Sequence, residues 1–205
     1  MLRVYRIPFS TNVERIALAL AHKRVEAEWV DIDPGDRSEV VRVSGQELVP
    51  VLVDGERVLS DSPVILEYLE KRFPDPPLFP RHPARREELR AFLDWFNGLW
   101  KRPPNLIVAE EAKSEPDLER IAELEGRIAG ALPRFEALLQ GRDFLFGDEL
   151  TAADVTVFPF LKYAVIWEAG DEDRFHEVLR EAMRLDGRYP RLEAWIDRID
   201  ALPRV

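Results

Sequence analysis

The chain has 205 residues, of which 46% are hydrophobic, and its 29 Lys and Arg against 39 Asp and Glu leave a net charge of −10. That length and apolar content suit one large or two small globular domains, and the acidic balance excludes a general nucleic-acid surface. The absence of cysteine removes disulfides, thiolate metal sites and any protein Cys nucleophile.

Three histidines, His22, His82 and His176, show no metal-ligand spacing, so each is expected at the surface or a helix end and no metal is expected. No apolar run approaches the roughly 18 residues that span a bilayer. A soluble, cytoplasmic protein with no membrane or nucleic-acid partner is the resulting expectation.

In chain order, Met1–Lys23 reads as a short apolar strand, a Pro-Phe-Ser-Thr-Asn turn and an amphipathic helix on which Ile16, Ala17, Leu20 and Ala21 recur at helical spacing. Thr11 and Glu14 form a capping-box pattern that predicts a helix start near Asn12, with Ser10 just outside the cap. A hydroxyl at the positive end of a helix can donate to an anion such as a thiolate. Local hydrogen bonding alone is the competing explanation of a serine there.

Ala27–Ile32 predicts a second strand, parallel to the first in a βαβ unit. A short helix over Asp36–Val43 follows, then a hairpin of Val51–Val53 and Arg57–Leu59 about Asp54-Gly55. Ser62-Pro63 reads as a serine N-cap with proline in the first turn of a helix through Arg72.

Phe73–Pro83, with five prolines, cannot be a regular element and reads as a linker. Helical periodicity follows over about Ala84–Leu99, Asp117–Leu139, Thr151–Trp167, Arg174–Leu185 and Arg191–Ile199, with Thr151-Ala152-Ala153-Asp154 as a second capping box.

These residues resemble the soluble glutathione transferases across nearly the whole chain. The resemblance rests on Ser10 with Arg15 heading the first helix, Val49-Pro50 before the third strand, Asp61-Ser62 before the third helix, and Thr151-Ala152-Ala153-Asp154 opening a C-terminal helix. It implies an α/β plus all-α architecture: a thioredoxin-like domain over residues 1–75, βαβ-α-ββα, a linker over 76–83, and an all-helical C-terminal domain over 84–205.

The resemblance also implies roles. Glutathione is the co-substrate, bound through the backbone of Val49 before a cis Pro50 and through Asp61 and Ser62 at its γ-glutamyl end. Ser10, as in serine-type members, donates to the glutathione sulfur; it stabilises the thiolate and is not the nucleophile. Tyr5, the rival activator, lies inside the first strand and reads as sheet packing.

Where many members read Asn-Pro-x-Gly-x-Val-Pro, this chain reads Ser44-Gly45-Gln46-Glu47-Leu48-Val49-Pro50. Glu47 and Leu48 disfavour an anionic tripeptide; Gln46 is the compensating candidate, and another low-molecular-weight thiol the alternative.

The family's electrophile site maps onto Phe9 and the stretch Asp94–Asn105, with Trp95, Phe96 and Trp100 as walls, Arg102 and Asn105 as polar contacts, and hydrophobic core as the alternative for at least one aromatic. A homodimeric transferase acting on a small hydrophobic electrophile is implied. A non-catalytic binding protein, or a glutathione-dependent isomerase or peroxidase, are the rival activities.

Overall fold

The computed structural model describes residues 1–204. It divides into two compact units: residues 1–79 joined by residues 202–204, and residues 80–201. Among the described residues, no helix is long and apolar enough to cross a membrane.

The first unit is a four-stranded mixed sheet in the order β2-β1-β3-β4. Its elements run β1 (Leu2–Arg6), α1 (Thr11–Lys23), β2 (Ala27–Asp31), α2 (Ser38–Ser44), β3 (Val51–Asp54), β4 (Arg57–Ser60) and α3 (Ser62–Arg72). β1 pairs parallel with β2 across the helical crossover and antiparallel with β3, as a βαβ unit followed by a hairpin requires.

Alternation along the strands separates two faces. Tyr5, Ile32, Val40 and Val51 form one buried cluster under α2, while the registered pair Val4 and Leu52 is buried on the other face, the one left to the mutually packed α1 and α3. Full burial of such a side chain contributes ~1.5–3 kcal/mol. Tyr5 is thus a packing residue, as its place in the strand implied.

One consequence of the register positions the site. Tyr5 pairs with Val51 and Val51 with Ser60, so the end of β1, the start of β3 and the end of β4 lie side by side. The segments leaving or entering there carry Ser10, Val49-Pro50 and Asp61-Ser62.

Both helix starts in this unit differ from the sequence expectation. α1 begins at Thr11 with Ser10 as its N-cap, the Ser10 Oγ accepting from Val13 N at 3.3 Å. The cap therefore falls one residue earlier than the Thr11–Glu14 pattern implied, because Phe9 adopts φ 57° and turns the chain ahead of Ser10. α3 has Asp61 as its N-cap, at φ 73° and ψ 119°, with Ser62 and Pro63 already inside the first turn.

The proline-rich stretch is irregular but bound to this unit. The buried Lys23 ammonium donates to Glu70 Oε2 at 2.8 Å, to the Phe73 carbonyl at 2.7 Å and to the Pro76 carbonyl at 3.1 Å. Glu70 Oε2 also accepts from Leu78 N at 2.9 Å, and Leu78 and Phe79 are buried.

The second unit is helical: α4 (Pro83–Trp95), a π-helical turn over Phe96–Trp100, α5 (Arg102–Glu111), α6 (Leu118–Ala129), α7 (Leu132–Leu138), α8 (Ala152–Leu161), a 3₁₀ turn over Lys162–Ala164, α9 (Arg174–Ala182) and α10 (Pro190–Asp200). α5 has no counterpart in the sequence expectation. Pro103 and Pro104 look like breakers, yet they occupy the first turn, where an N–H would have no intrahelical partner.

The helix expected over Asp117–Leu139 is two, α6 and α7, because Pro133 lacks the N–H needed to continue the ladder through Gly130. The helix expected through Trp167 ends at Leu161.

α8 is buried on every side, and its start is closed by the expected box. The Asp154 carboxylate accepts from Leu145 N, Thr151 N and Thr151 Oγ1, each at 2.8 Å, and from Trp195 Nε1 at 3.0 Å. Burial pushes this carboxyl up, while those donors pull the other way.

His176, expected at the surface or a helix end, lies in the first turn of α9 and is buried there. Its ring stacks on Tyr163 at 4.4 Å, and its Nδ1 lies 2.9 Å from Asp171 Oδ1, the same carboxylate that accepts from the Tyr163 hydroxyl at 2.9 Å.

Candidate active site

In the first unit, two helix N-termini, those of α1 and α3, are stitched together by one buried cation. Arg15, on α1, has no solvent exposure, and its Nη1 donates to the Ser62 Oγ at 3.1 Å. The Ser62 hydroxyl donates in turn to Asn12 Oδ1 at 3.3 Å. Desolvation lowers the guanidinium pKa to about 9, and the negative charge of Asp61 works against that fall. At neutral pH Arg15 is therefore still cationic, and a positive charge lies directly beneath the head of α3.

Ser10 completes the arrangement from the α1 side. As N-cap it spends a lone pair on Val13 N, and a serine hydroxyl still has its O–H to donate. It is half-buried and stands at the positive end of a 13-residue helix. A ligand thiolate placed against it meets a hydroxyl donor and a helix terminus together.

Asp61 is exposed while Ser62, beside it, is buried. A non-glycine residue at φ 73° costs of order 1–3 kcal/mol, and such strain gathers at ligand sites. The exposed Asp61 carboxylate makes no hydrogen bond to the α3 N-terminus, which leaves the carboxylate open to an ammonium and the helix end open to a carboxylate.

Val49-Pro50 is cis, with Pro50 buried at the start of β3. The loop before it is held by Gln46. Its Oε1 accepts from Leu48 N at 2.6 Å, and its Nε2 donates to the Leu48 carbonyl at 2.8 Å, to Ser44 Oγ at 3.0 Å and to Ser60 Oγ at 3.4 Å. The Gln46 amide is thus engaged with its own loop, clamping the approach to Val49, and Leu48 is thrust outward, 77% exposed.

The residues proposed for the electrophile fall in different units. Phe9 is half-buried beside Ser10 in the first unit. In the second unit, Trp95 and Trp100 line one cavity together with Leu99, Pro103, Arg127, Gly130, Ala131 and Arg134. Phe96 is fully buried, stacked on Trp100 at 4.9 Å and edge-on to Phe160 at 5.5 Å, so it serves the helical core and has no surface to offer a ligand. Arg102 and Asn105 are exposed on α5 outside that cavity.

Sequence reasoning placed Arg15 near the site without its burial or its bond to Ser62, and passed over Asn12. The signal for Arg15 was present: Ile16-Ala-Leu-Ala-Leu20 is apolar on every side, so a helix carrying it is buried around most of its circumference.

A thioredoxin-like unit with this paired-helix site, followed in the chain by a helical unit whose buried α8 starts at a capping box, defines a two-unit fold family. A model of the glutathione S-transferase N-terminal domain matches residues 4–77, and one of the glutathione S-transferase C-terminal domain matches residues 119–198. The chain belongs to the soluble glutathione transferase superfamily.

A zeta-class glutathione S-transferase of Euphorbia esula is 29% identical over 187 residues, 87% of this chain and 83% of that protein. A stringent starvation protein A homolog of Pasteurella multocida is also 29% identical, over 153 residues, 72% of this chain and 67% of that protein. A glutathione S-transferase of Methylobacterium radiotolerans, crystallised with glutathione sulfonate, superposes with a TM-score of 0.79 at 26% identity, covering all of this chain and 95% of its own.

Proposed function

We propose that this chain is a serine-type glutathione transferase that activates the glutathione thiol and adds it to a small hydrophobic electrophile, acting as a cytoplasmic homodimer. The observation that carries the reading is the Arg15–Ser62–Asn12 connection. It fixes the heads of α1 and α3 side by side, so that a thiol site at Ser10 and a carboxylate site at Ser62 share one end of the sheet.

In this reading the glutathione α-carboxylate sits on the α3 N-terminus and Ser62 over the Arg15 charge, its ammonium faces Asp61, and its cysteinyl backbone pairs with Val49. The thiol proton leaves to solvent, Ser10 Oγ–H donates to the sulfur, and the thiolate forms the new S–C bond as a π bond of the electrophile opens and its electron pair takes up a proton from water. A free thiol with pKa near 8.5 is only a few per cent ionised at pH 7, so lowering it by about two units makes most of it reactive. Phe9, half-buried beside Ser10, is the proposed wall for the electrophile.

A second reading follows from the relative in Pasteurella multocida, whose name is that of a starvation protein and not of an enzyme. In it the fold is kept as a binding module, and the acidic and apolar pair Glu47-Leu48 at the lip of the site is the feature that fits. Titration of the bound glutathione thiolate by its ultraviolet absorbance separates the two. The transferase reading expects a thiol pKa well below that of free glutathione, rising again in Ser10→Ala. Absence of glutathione binding moves the chain to the second reading, and a pKa unchanged by the substitution removes Ser10 from its role.

A further inference from the structure

Residues 202–204 follow the last helix of the second unit, yet they belong to the first. A charge pair fastens them there. Arg204 Nη2 donates to Glu14 Oε1 at 3.1 Å, across 190 positions of sequence, and Arg204 Nη1 donates to the Leu202 carbonyl at 2.7 Å. Both side chains of the pair are largely shielded, with 27% of Arg204 and 16% of Glu14 exposed, so solvent and salt screen it less than a pair at the open surface.

Glu14 stands where its charge bears on the thiol site. It lies in the first turn of α1, its N–H bonded to the Ser10 carbonyl at 3.0 Å, about 6 Å of helix rise from Ser10. A carboxylate in a first turn offsets the positive end of its helix, which favours the helix and disfavours a second anion beside it. The two helix heads carry Glu14, Asp61 and Arg15, two negative charges against one positive. Arg15 does not correct this on the Glu14 side, because it follows Glu14 by one residue, points about 100° away around the helix, and is buried against Ser62. Arg204 supplies the missing positive charge.

We propose that Arg204 is a positioning residue of the thiol site: by pairing with Glu14 it cancels the carboxylate charge in the first turn of α1 and keeps that helix end positive toward the thiolate at Ser10. The inference rests on the transferase reading of Ser10. It assigns residues 202–204 a part in thiol activation, exerted through α1 with no contact to the ligand.

The test titrates glutathione bound to the full chain by its thiolate absorbance, in the parent and in Arg204→Ala, Arg204→Lys, Glu14→Gln and the double variant Arg204→Ala with Glu14→Gln. Arg204→Ala should raise the bound thiol pKa by about 0.5–1 and lower the rate at pH 7 about three- to tenfold. Arg204→Lys keeps the charge and should hold the pKa near that of the parent, and Glu14→Gln should leave it there or lower. The double variant should return to the parent value, because no uncompensated carboxylate remains. A fixed anion gives the same comparison without ionisation: glutathione sulfonate should bind Arg204→Ala about three- to tenfold more weakly than the parent, while S-methylglutathione, neutral at sulfur, binds both alike.

A thiol pKa and a sulfonate affinity unchanged in Arg204→Ala overturn the proposal and leave the transferase reading standing, whatever the melting temperature does. So does a pKa rise that persists in the double variant, since it would not run through Glu14. A parent that binds no glutathione, or leaves its thiol at the free pKa, overturns both.

Discussion

The chain opens helices with a short hydroxyl residue and a nearby acid in both units, and the two uses are opposite. At α8 the cap closes on itself: Thr151 and Asp154 bond each other, and Asp154 takes two backbone N–H groups and the Trp195 indole besides, all out of water. At α1 and α3 the acceptors are fewer. Ser10 takes one N–H, Asp61 takes none with its side chain, and the buried charge of Arg15 stands behind Ser62. A helix terminus whose donors are satisfied internally is scaffold, while one with donors and positive charge to spare is an anion site.

That contrast is sharpest in Asp154→Ala. Four donors lose their acceptor in a dry environment, so the unit should lose about 3–5 kcal/mol and its melting temperature should fall by many degrees. Thermal unfolding followed by circular dichroism checks this. A loss under about 1 kcal/mol would remove the distinction between closed and open caps.

Ser10→Ala is the counterpart at the open end. Its effect should fall on chemistry: about 10- to 100-fold on the rate at pH 7, as the apparent thiol pKa returns toward that of free glutathione. Stability should drop by only ~1 kcal/mol, the ordinary cost of an N-cap. A pH–rate profile resolves the two, because at high pH, where the thiol ionises unaided, parent and variant should converge.

Arg15→Met tests the buried charge. Loss of the Arg15 donor to Ser62 should cost about 1–3 kcal/mol of stability, and glutathione affinity should weaken about tenfold through loss of the charge under the carboxylate. Calorimetric titration beside a urea melt checks both; a large stability loss with unchanged affinity would make Arg15 a purely structural residue. Smallest is Gln46→Ala. It frees the Leu48 backbone and should weaken glutathione a few-fold through looser presentation of Val49, without shifting the thiol pKa, a split that separates positioning from activation.

The strands, their order along the chain and the capping box at α8 were legible because they rest on local pattern: strand alternation, the two-residue hairpin whose Gly55 takes φ 61°, and Thr151 with Asp154. The two dipeptides singled out for the site were legible as backbone features: Val49-Pro50 is cis and Asp61-Ser62 starts α3. What escaped depends on long-range partners or on turn geometry. Nothing local shows that Arg15 will meet Ser62, 47 residues on, or that His176 will be enclosed by Tyr163 and Asp171. The cap moved from Thr11 to Ser10 because one residue, Phe9, takes a left-handed conformation that sequence pattern does not disclose. α5 was missed because prolines are read as breakers before their position in a turn is known.

The Lys23 ammonium, without exposed side-chain surface, has a practical consequence for dissecting the protein. Its partners, the carbonyls of Phe73 and Pro76 and the carboxylate of Glu70, extend past the end of α3, and Glu70 also grips the amide of Leu78. An excised thioredoxin-like fragment cut at residue 75 would strip Lys23 of one carbonyl and leave an opening where Leu78 and Phe79 were buried. The same fragment carried through Phe79 retains every one of those partners, so the stable excision point is set by a lysine more than fifty residues upstream of it.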